Sequence, residues 1–164
     1  MKDQIAYLKY VLRHRHFVYA EGRKLRVSPI QLFFHDMSKF SPTEWLPYVH
    51  FFYNKNGTAR EKRDRRGYLK PVDTGDPKFE AAWFHHIKHN KHHWQYWYIP
   101  GHAGGHAVPI PEKYLREMVA DWRGANRAQG GDGDIQKWYN EHARSLLLTD
   151  EDRYKVVSII FGGG

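Results

Sequence analysis

Apolar residues recur at helical spacing along most of this chain, which restricts its fold more than its composition does. At the N-terminus, steps of mostly three and four positions give an apolar stripe of Ile5, Leu8, Val11, Leu12, Val18 and Tyr19. Start and stop signals predict further helices. They run from Ser28-Pro29 to Phe34, from Ser41 toward Phe52, from Asp76-Pro77 toward Tyr96, from Pro111-Glu112, near Asp134, and from Thr149 through Ile160. The sequence therefore predicts a compact all-α protein of six or seven helices.

The 164 residues fit a single helical domain, 1–164, and a chain of this length can bury a sizeable core. Two segments interrupt the helical pattern. The polar stretch near 54–76 predicts a mobile basic loop or a charged helical excursion, and the Gly- and Pro-rich stretch near 99–110 predicts a loop or small hairpin. Neither a membrane span nor a signal peptide is recognisable, so we expect a soluble cytoplasmic protein.

Cysteine is absent from the chain, whereas histidine occurs twelve times. The lack of cysteine excludes disulfides and thiolate ligands, so a bound metal would be held by nitrogen and oxygen atoms. A formal net charge of +8 indicates attraction to anions such as nucleotides, nucleic acid or phosphorylated metabolites. Charge alone does not choose among these partners.

The adjacent residues His35-Asp36 end an apolar segment and stand near the end of a predicted helix. An imidazole and a carboxylate side by side can ligate one cation, and Asp36 has a second oxygen to share with another. Lys39 follows three residues later, either as a plain surface lysine or as an ammonium that neutralises a substrate phosphate. A two-metal hydrolytic site is one interpretation of this segment.

The next segment, Ser41 to Glu44, has the pattern of a helix capping box.

Further histidines lie on particular faces of the predicted helices. His14 borders the inward face of the first helix, and His16 is the alternative there. On the helix predicted toward Tyr96, one face carries His86, Asn90 and His93, while the neighbouring face carries His85, His89 and His92. Any single histidine is most often a surface or satisfied core residue, and a structural zinc site would need only four ligands. Because histidines and carboxylates recur on several predicted helices, the set as a whole favours a metal site.

Glu117 and Asp121 are four residues apart on another predicted helix. Such a pair is most often part of a solvated acidic face. Large apolar residues surround Asp121, however, and a buried carboxylate needs a cation or hydrogen-bond donors.

The order of these residues resembles the HD-domain superfamily of helical metal-dependent phosphohydrolases. Its signature is a single His, an adjacent His-Asp pair and a distant Asp. Residues 35–39 are similar to the His-Asp-x-Gly-Lys form of its binuclear members, with Ser38 in place of glycine. Nearly the whole chain also resembles a family of bacterial and phage proteins without an established activity. That likeness rests on residues 8–14, 35–42, 90–97 and 117–122.

The resemblance implies a centre of two divalent cations, which could be Mn, Fe, Zn, Ni, Co or Mg, with Asp36 as the bridge between them. It selects His86 over His85. The implied ligands are His14, His35, Asp36, His86, His92, His93 and Asp121. The serine at position 38 and the lack of a Gly-Tyr-Pro triplet argue against a cyclic-dinucleotide substrate.

We therefore expect a metal-dependent phosphohydrolase that acts on a nucleotide or another phosphate ester. Asp36 and Lys39 would act in catalysis. The substrate would be bound or steered by Lys39, Arg63, Arg65, Arg66 and Asn90. One alternative is a di-iron oxygenase, because some HD-fold members activate oxygen with a similar ligand set. The other is a non-enzymatic nucleic-acid-binding module that uses the basic segment and the aromatic residues Trp94, Tyr96, Trp97 and Tyr98.

Overall fold

A computed structural model describes residues 1–62, 73–102 and 104–162 of the chain. Within these residues, seven α-helices and one antiparallel hairpin form. The helices are α1 (Lys2–Lys24), α2 (Pro29–Phe34), α3 (Pro42–Phe52), α4 (Pro77–His89), α5 (Glu112–Ala128), α6 (Gln136–His142) and α7 (Asp150–Phe161). The hairpin consists of β1 (Tyr98–Gly101) and β2 (Gly104–Ala107). The prediction of an all-α protein with six or seven helices is confirmed.

Two predicted features can be compared with these bounds. The hairpin lies within the Gly- and Pro-rich stretch near 99–110. The predicted basic loop near 54–76 is described only at its ends, and Arg63, Arg65 and Arg66 lie outside the described residues. No helix in the described ranges is both long enough and apolar enough to cross a membrane.

The helices α1 and α5 pack against each other and carry residues of the candidate site. Gly124 lies inside α5 at this contact. A β-carbon at position 124 would be 2.5 Å from Val18 Cγ2 and 2.7 Å from the Val18 backbone nitrogen. Glycine therefore allows the two backbones to approach where any larger residue would force them apart.

The buried face of α1 differs from the predicted apolar stripe. Val11 and Val18 are fully buried, but Ile5, Leu8, Leu12 and Tyr19 remain exposed. The buried face is completed instead by Tyr7 and by polar residues that include His14. The stripe prediction was wrong because it used only apolar residues, whereas α1 turns polar side chains toward partners inside the protein.

Three clusters of buried apolar side chains fix the helices around the site. The first packs α1, α3 and α4 together, and within it the rings of Phe51 and Phe79 stack with their centroids 3.7 Å apart. The second joins α5, α6 and α7 through residues such as Leu115 and Val156. A smaller cluster places Leu32 of α2 against Val18 of α1. Burial of these side chains holds in place the elements that carry the histidines.

Helix α4 ends at His89, well before the end predicted near Tyr96. Asn90 leaves the helical conformation, with φ −121° and ψ 104°, and its side-chain amide donates to the His86 carbonyl oxygen at 2.8 Å. His92 and His93 therefore lie in a turn, and not on the helix faces predicted for them. The turn folds back toward α4, so that His93 Nε2 lies 2.9 Å from His86 Nε2.

Candidate metal centre

Seven histidine and aspartate side chains converge between α1, α2, α4 and α5. They are His14 from α1, His35 and Asp36 after α2, His86 from α4, His92 and His93 from the following turn, and Asp121 from α5. All the residues implied as ligands by the sequence resemblance thus lie together. The two alternatives do not, because His16 is exposed and His85 turns toward Glu44.

These side chains form two groups of potential ligands, and the donor atoms within each group lie within 4.8 Å of one another. Group one consists of His14, His35, Asp36 and Asp121. Group two consists of Asp36, His86, His92 and His93. Asp36 is the member that the groups share.

The two carboxylate oxygens of Asp36 face different groups. Oδ2 lies 3.4 Å from His14 Nε2 and 3.5 Å from His35 Nε2. Oδ1 lies 3.4 Å from both His86 Nε2 and His92 Nε2. This division of one carboxylate between two sets of imidazole nitrogens is the arrangement that a bridging metal ligand needs.

Asp121 completes group one from the side of α5. Its Oδ1 lies 3.1 Å from His14 Nε2 and 3.5 Å from His35 Nε2. Its side chain is slightly more exposed than that of Asp36, at 14% against 1%. Group one therefore has its less enclosed edge at Asp121.

The backbone at Asp36 adopts a conformation that few residues tolerate. Its φ of 56° and ψ of 23° lie in the left-handed region, which aspartate and asparagine enter more readily than other non-glycine residues. This residue turns the chain from α2 into a short 3-10 helix, Met37–Phe40. The Arg15 guanidinium supports the turn by donating to the carbonyl oxygens of Phe33 and His35.

Several of the nitrogen and oxygen atoms that could ligate a metal are buried without a hydrogen bond. Within the described ranges, no group donates to or accepts from His35 Nε2, His92 Nε2, Asp36 Oδ1 or either ring nitrogen of His14. Leaving one such atom unpaired costs about 1–3 kcal/mol, so buried polar atoms normally have partners. Divalent cations would satisfy imidazole nitrogens and carboxylate oxygens together, and this donor set suits Mn, Fe, Co, Ni or Zn. The residues present therefore fit a metal centre.

Glu117 supports one histidine of each group. Its Oε1 accepts a hydrogen bond from His35 Nδ1 at 3.0 Å and lies 3.5 Å from His92 Nδ1. Its Oε2 accepts from Gln31 Nε2 at 2.5 Å. A carboxylate behind a histidine fixes the ring orientation and leaves Nε2 with the lone pair that binds metal. The sequence pattern favoured a solvated acidic face for Glu117, but the residue is buried.

Glu44 supports a histidine of α4 in the same way. It is fully buried, and its Oε2 accepts from His86 Nδ1 at 2.8 Å while its Oε1 accepts from His85 Nδ1 at 2.7 Å. The capping-box prediction was wrong, because α3 has no side-chain cap hydrogen bond and Glu44 turns inward. No local sequence signal distinguishes such a glutamate from a cap. For Glu117 there was a signal, because it shares a helix face with the candidate ligand Asp121.

Lys39 brings a positive charge directly to the shared carboxylate. Its Nζ lies 2.5 Å from Asp36 Oδ2 and 3.3 Å from His86 Nε2. Asn90, predicted to contact substrate, is buried, and its amide nitrogen donates to Ser38 Oγ at 2.7 Å. The structure thus shows Asn90 in the framework of group two, and a substrate contact by this residue stays a prediction.

Burial and charge act in opposite directions on the pKa values of Asp36 and His35. Burial favours the neutral form of Asp36, but the charges of His35, Lys39 and His86 hold its pKa well below the usual range. Burial lowers the pKa of His35, but Asp36, Asp121 and Glu117 outweigh this effect and raise the pKa to about 9. The carboxylate is therefore ionised, while His35 holds a proton that a cation would have to displace.

A sequence model of a family of unknown function, DUF5662, matches residues 3–161. The chain belongs to the DUF5662 family. The match includes every residue of the two ligand groups, from His14 to Asp121. No curated protein and no solved structure matches the chain significantly. Membership in DUF5662 assigns no activity and adds no link to the HD-domain superfamily, so any reaction has to be proposed from the geometry.

Proposed function

We propose that the protein is a metal-dependent phosphohydrolase that acts on a nucleotide or another phosphate ester at a binuclear His/Asp centre. The position of Asp36 carries this proposal, because its two oxygens face two separate groups of buried histidines. Paired cations about 3.5–4 Å apart are common in enzymes that cleave phosphate esters. The order of the ligands along the chain, which resembles that of the HD-domain superfamily, supports the same reaction class.

Each residue of the centre has a defined part in this proposal. His14, His35 and Asp121 would hold one cation, and His86, His92 and His93 would hold the other, with Asp36 shared. Bound cations would supply Lewis acidity, which acidifies water and neutralises charge on phosphate oxygens. Glu117 and Glu44 keep the imidazole rings in the tautomer that presents Nε2.

Lys39 favours an anionic substrate at this centre. Its ammonium contacts Asp36, which would share its negative charge with bound cations. The ammonium is then available to a phosphate oxygen close to the same carboxylate. The net charge of +8 adds long-range attraction for such a substrate.

A di-iron oxygenase would use the same ligands, but nothing in its chemistry requires the ammonium of Lys39 at the bridge. The nucleic-acid-binding module is disfavoured by the position of two of its four aromatic residues. Trp94 and Trp97 are partly buried against the cluster of α5, α6 and α7, and the Trp97 indole donates to the Lys91 carbonyl oxygen. Their ring faces are therefore not open platforms for stacking bases.

The proposal is tested by Asp36→Asn, with His16→Gln as the control. Asparagine keeps the shape and tolerates the left-handed backbone, so the variant removes chiefly the charge. We expect Asp36→Asn to lose at least one metal equivalent by elemental analysis. Phosphate release from a panel of nucleotides and simple phosphate esters should fall at least about 100-fold, as for other single electrostatic contacts in active sites. The exposed His16 should leave both quantities unchanged when substituted.

Retention of full metal content and phosphatase activity by Asp36→Asn would overturn the proposal. Iron-loaded protein that consumes oxygen in response to a substrate, without releasing phosphate from any member of the panel, would replace it with the oxygenase.

A further inference from the structure

A second cluster of imidazoles lies on the outer side of α4, apart from the two ligand groups. His85 and His89 are one helical turn apart, and their rings stack with centroids 3.8 Å apart and planes inclined by 22°. The His85 side chain is 27% exposed, and His89 is exposed. Neither residue belongs to either ligand group of the buried centre.

Hydrogen bonds determine which nitrogen of each ring can bind a ligand. His89 Nδ1 lies 2.7 Å from the His85 carbonyl oxygen, and since a carbonyl can only accept, Nδ1 carries the proton. His85 Nδ1 donates likewise to Glu44 Oε1 at 2.7 Å. In its neutral form, each ring therefore presents a lone pair on Nε2. In the part of the chain that the structure describes, neither Nε2 atom has a hydrogen-bond partner.

We propose that His85 and His89 form a separate surface site for a transition-metal cation such as Zn²⁺, Ni²⁺ or Cu²⁺, bound through both Nε2 atoms. Residues one turn apart on a helix are neighbours, and a modest rotation of the exposed His89 ring out of the stack would direct both Nε2 lone pairs at one cation. Imidazole nitrogens suit these cations, whereas Mg²⁺ and Ca²⁺ prefer oxygen ligands. Glu44 stands behind His85 as a carboxylate commonly stands behind a metal-binding histidine.

Glu44 connects the surface pair to the buried centre. One of its oxygens accepts from His85, and the other accepts from His86 of group two at 2.8 Å. His89 also borders a cleft of about 230 Å³ whose other lining residues include the buried His92 and Glu117. A cation on the surface pair would therefore lie at the rim of a cleft that reaches the outer side of the centre's histidines.

Zinc titration of the full-length protein tests this inference, with calorimetry and elemental analysis as readouts. Wild-type protein should bind one further, weaker equivalent of Zn²⁺ after its buried centre is filled, and Mg²⁺ should not replace it. His89→Gln and His85→Gln should each weaken this equivalent at least about tenfold, because loss of a ligand costs no less than the 10- to 100-fold that loss of its supporting carboxylate costs. His50→Gln, at an exposed histidine of α3, is the matched control.

An unchanged weak equivalent in both His89→Gln and His85→Gln would overturn the site, and so would an equal loss in His50→Gln. Unaltered helical circular dichroism and unaltered tight binding at the buried centre would show that each variant is folded. The result is separate from the reaction of the buried centre. If the wild-type protein has no phosphatase activity but its weak Zn²⁺ equivalent is lost in His89→Gln, the surface site is supported and only the proposed function is refuted.

Discussion

The metal affinity of the group containing His14, His35, Asp36 and Asp121 should rise steeply from pH 7 to pH 9. Burial lowers the pKa of His35, but Asp36, Asp121 and Glu117 together raise it to about 9 in the metal-free protein. A cation needs the Nε2 lone pair of His35, so it competes with the proton that makes the ring an imidazolium. Raising the pH removes this competitor and strengthens metal binding.

The size of the effect follows from the pKa. With a value of about 9, roughly 1% of His35 rings are neutral at pH 7, which weakens the apparent affinity about 100-fold, or about 2.7 kcal/mol. Affinity should therefore increase about tenfold per pH unit up to pH 9 and then level off. Burial lowers the pKa of His14 as well, but the nearby Asp121 and Asp36 carboxylates outweigh this effect and raise the pKa, which adds in the same direction.

Calorimetric titration with Zn²⁺ or Mn²⁺ in two buffers of different ionisation enthalpy would count the protons released at each pH. We expect a proton from His35 to appear near pH 7 and to be absent above its pKa. Glu117→Gln removes one of the groups that raise this pKa, so the pH dependence should shift toward lower pH. A metal affinity that is flat between pH 7 and pH 9 in the wild type would refute the reasoning. An identical pH profile in Glu117→Gln would refute the role of that carboxylate.

Two further substitutions separate the supports of the centre from the packing of the fold. Glu44→Gln should weaken the cation of group two by roughly 10- to 100-fold in a metal titration and spare group one, because Glu44 contacts His86 and no group-one histidine. Equal weakening of both cations would contradict this. Gly124→Ala should lower the free energy of unfolding by about 1–3 kcal/mol in urea denaturation, because the new β-carbon would press on Val18. Lys113→Ala, at an exposed position of the same helix, is the control, and equal stability of the two variants would argue against a tight contact.

The sequence predicted those helices whose limits are set by local chemistry. Pro29 and Pro42 occupy first-turn positions, so the starts of α2 and α3 are recognisable without knowledge of the rest of the chain. The end of α4 is different. Asn90 leaves the helix where its amide bonds to Ser38, a residue far away in the sequence. A periodic pattern carries no information about such a partner, so the helix was predicted too long.

The candidate site likewise contains residues that local sequence signals predict and residues that only tertiary contacts bring to it. His14, His35-Asp36 and Asp121 are candidates from residue type and helix position, and their order, which resembles that of the HD-domain superfamily, selects them as predicted ligands. Glu44 and Glu117 were assigned to a cap and to a solvated face, which are the usual local roles of glutamate. Their burial beside histidines depends on how α3 and α5 pack against α4 and α2, and this is decided by tertiary structure.

The shared position of Asp36 has a consequence for the stability of the fold. Its neighbours in the centre come from α1, from the end of α2, from α4 and its following turn, and from α5. The chain has no cysteine and hence no disulfide to tie these segments together. Bound cations would act as the cross-links, closing the long loop from His14 to Asp121 and stabilising the folded state by mass action. Demetallation and unfolding would then be steps of one process, and a chelator would act on this protein as a reducing agent acts on a disulfide-linked one.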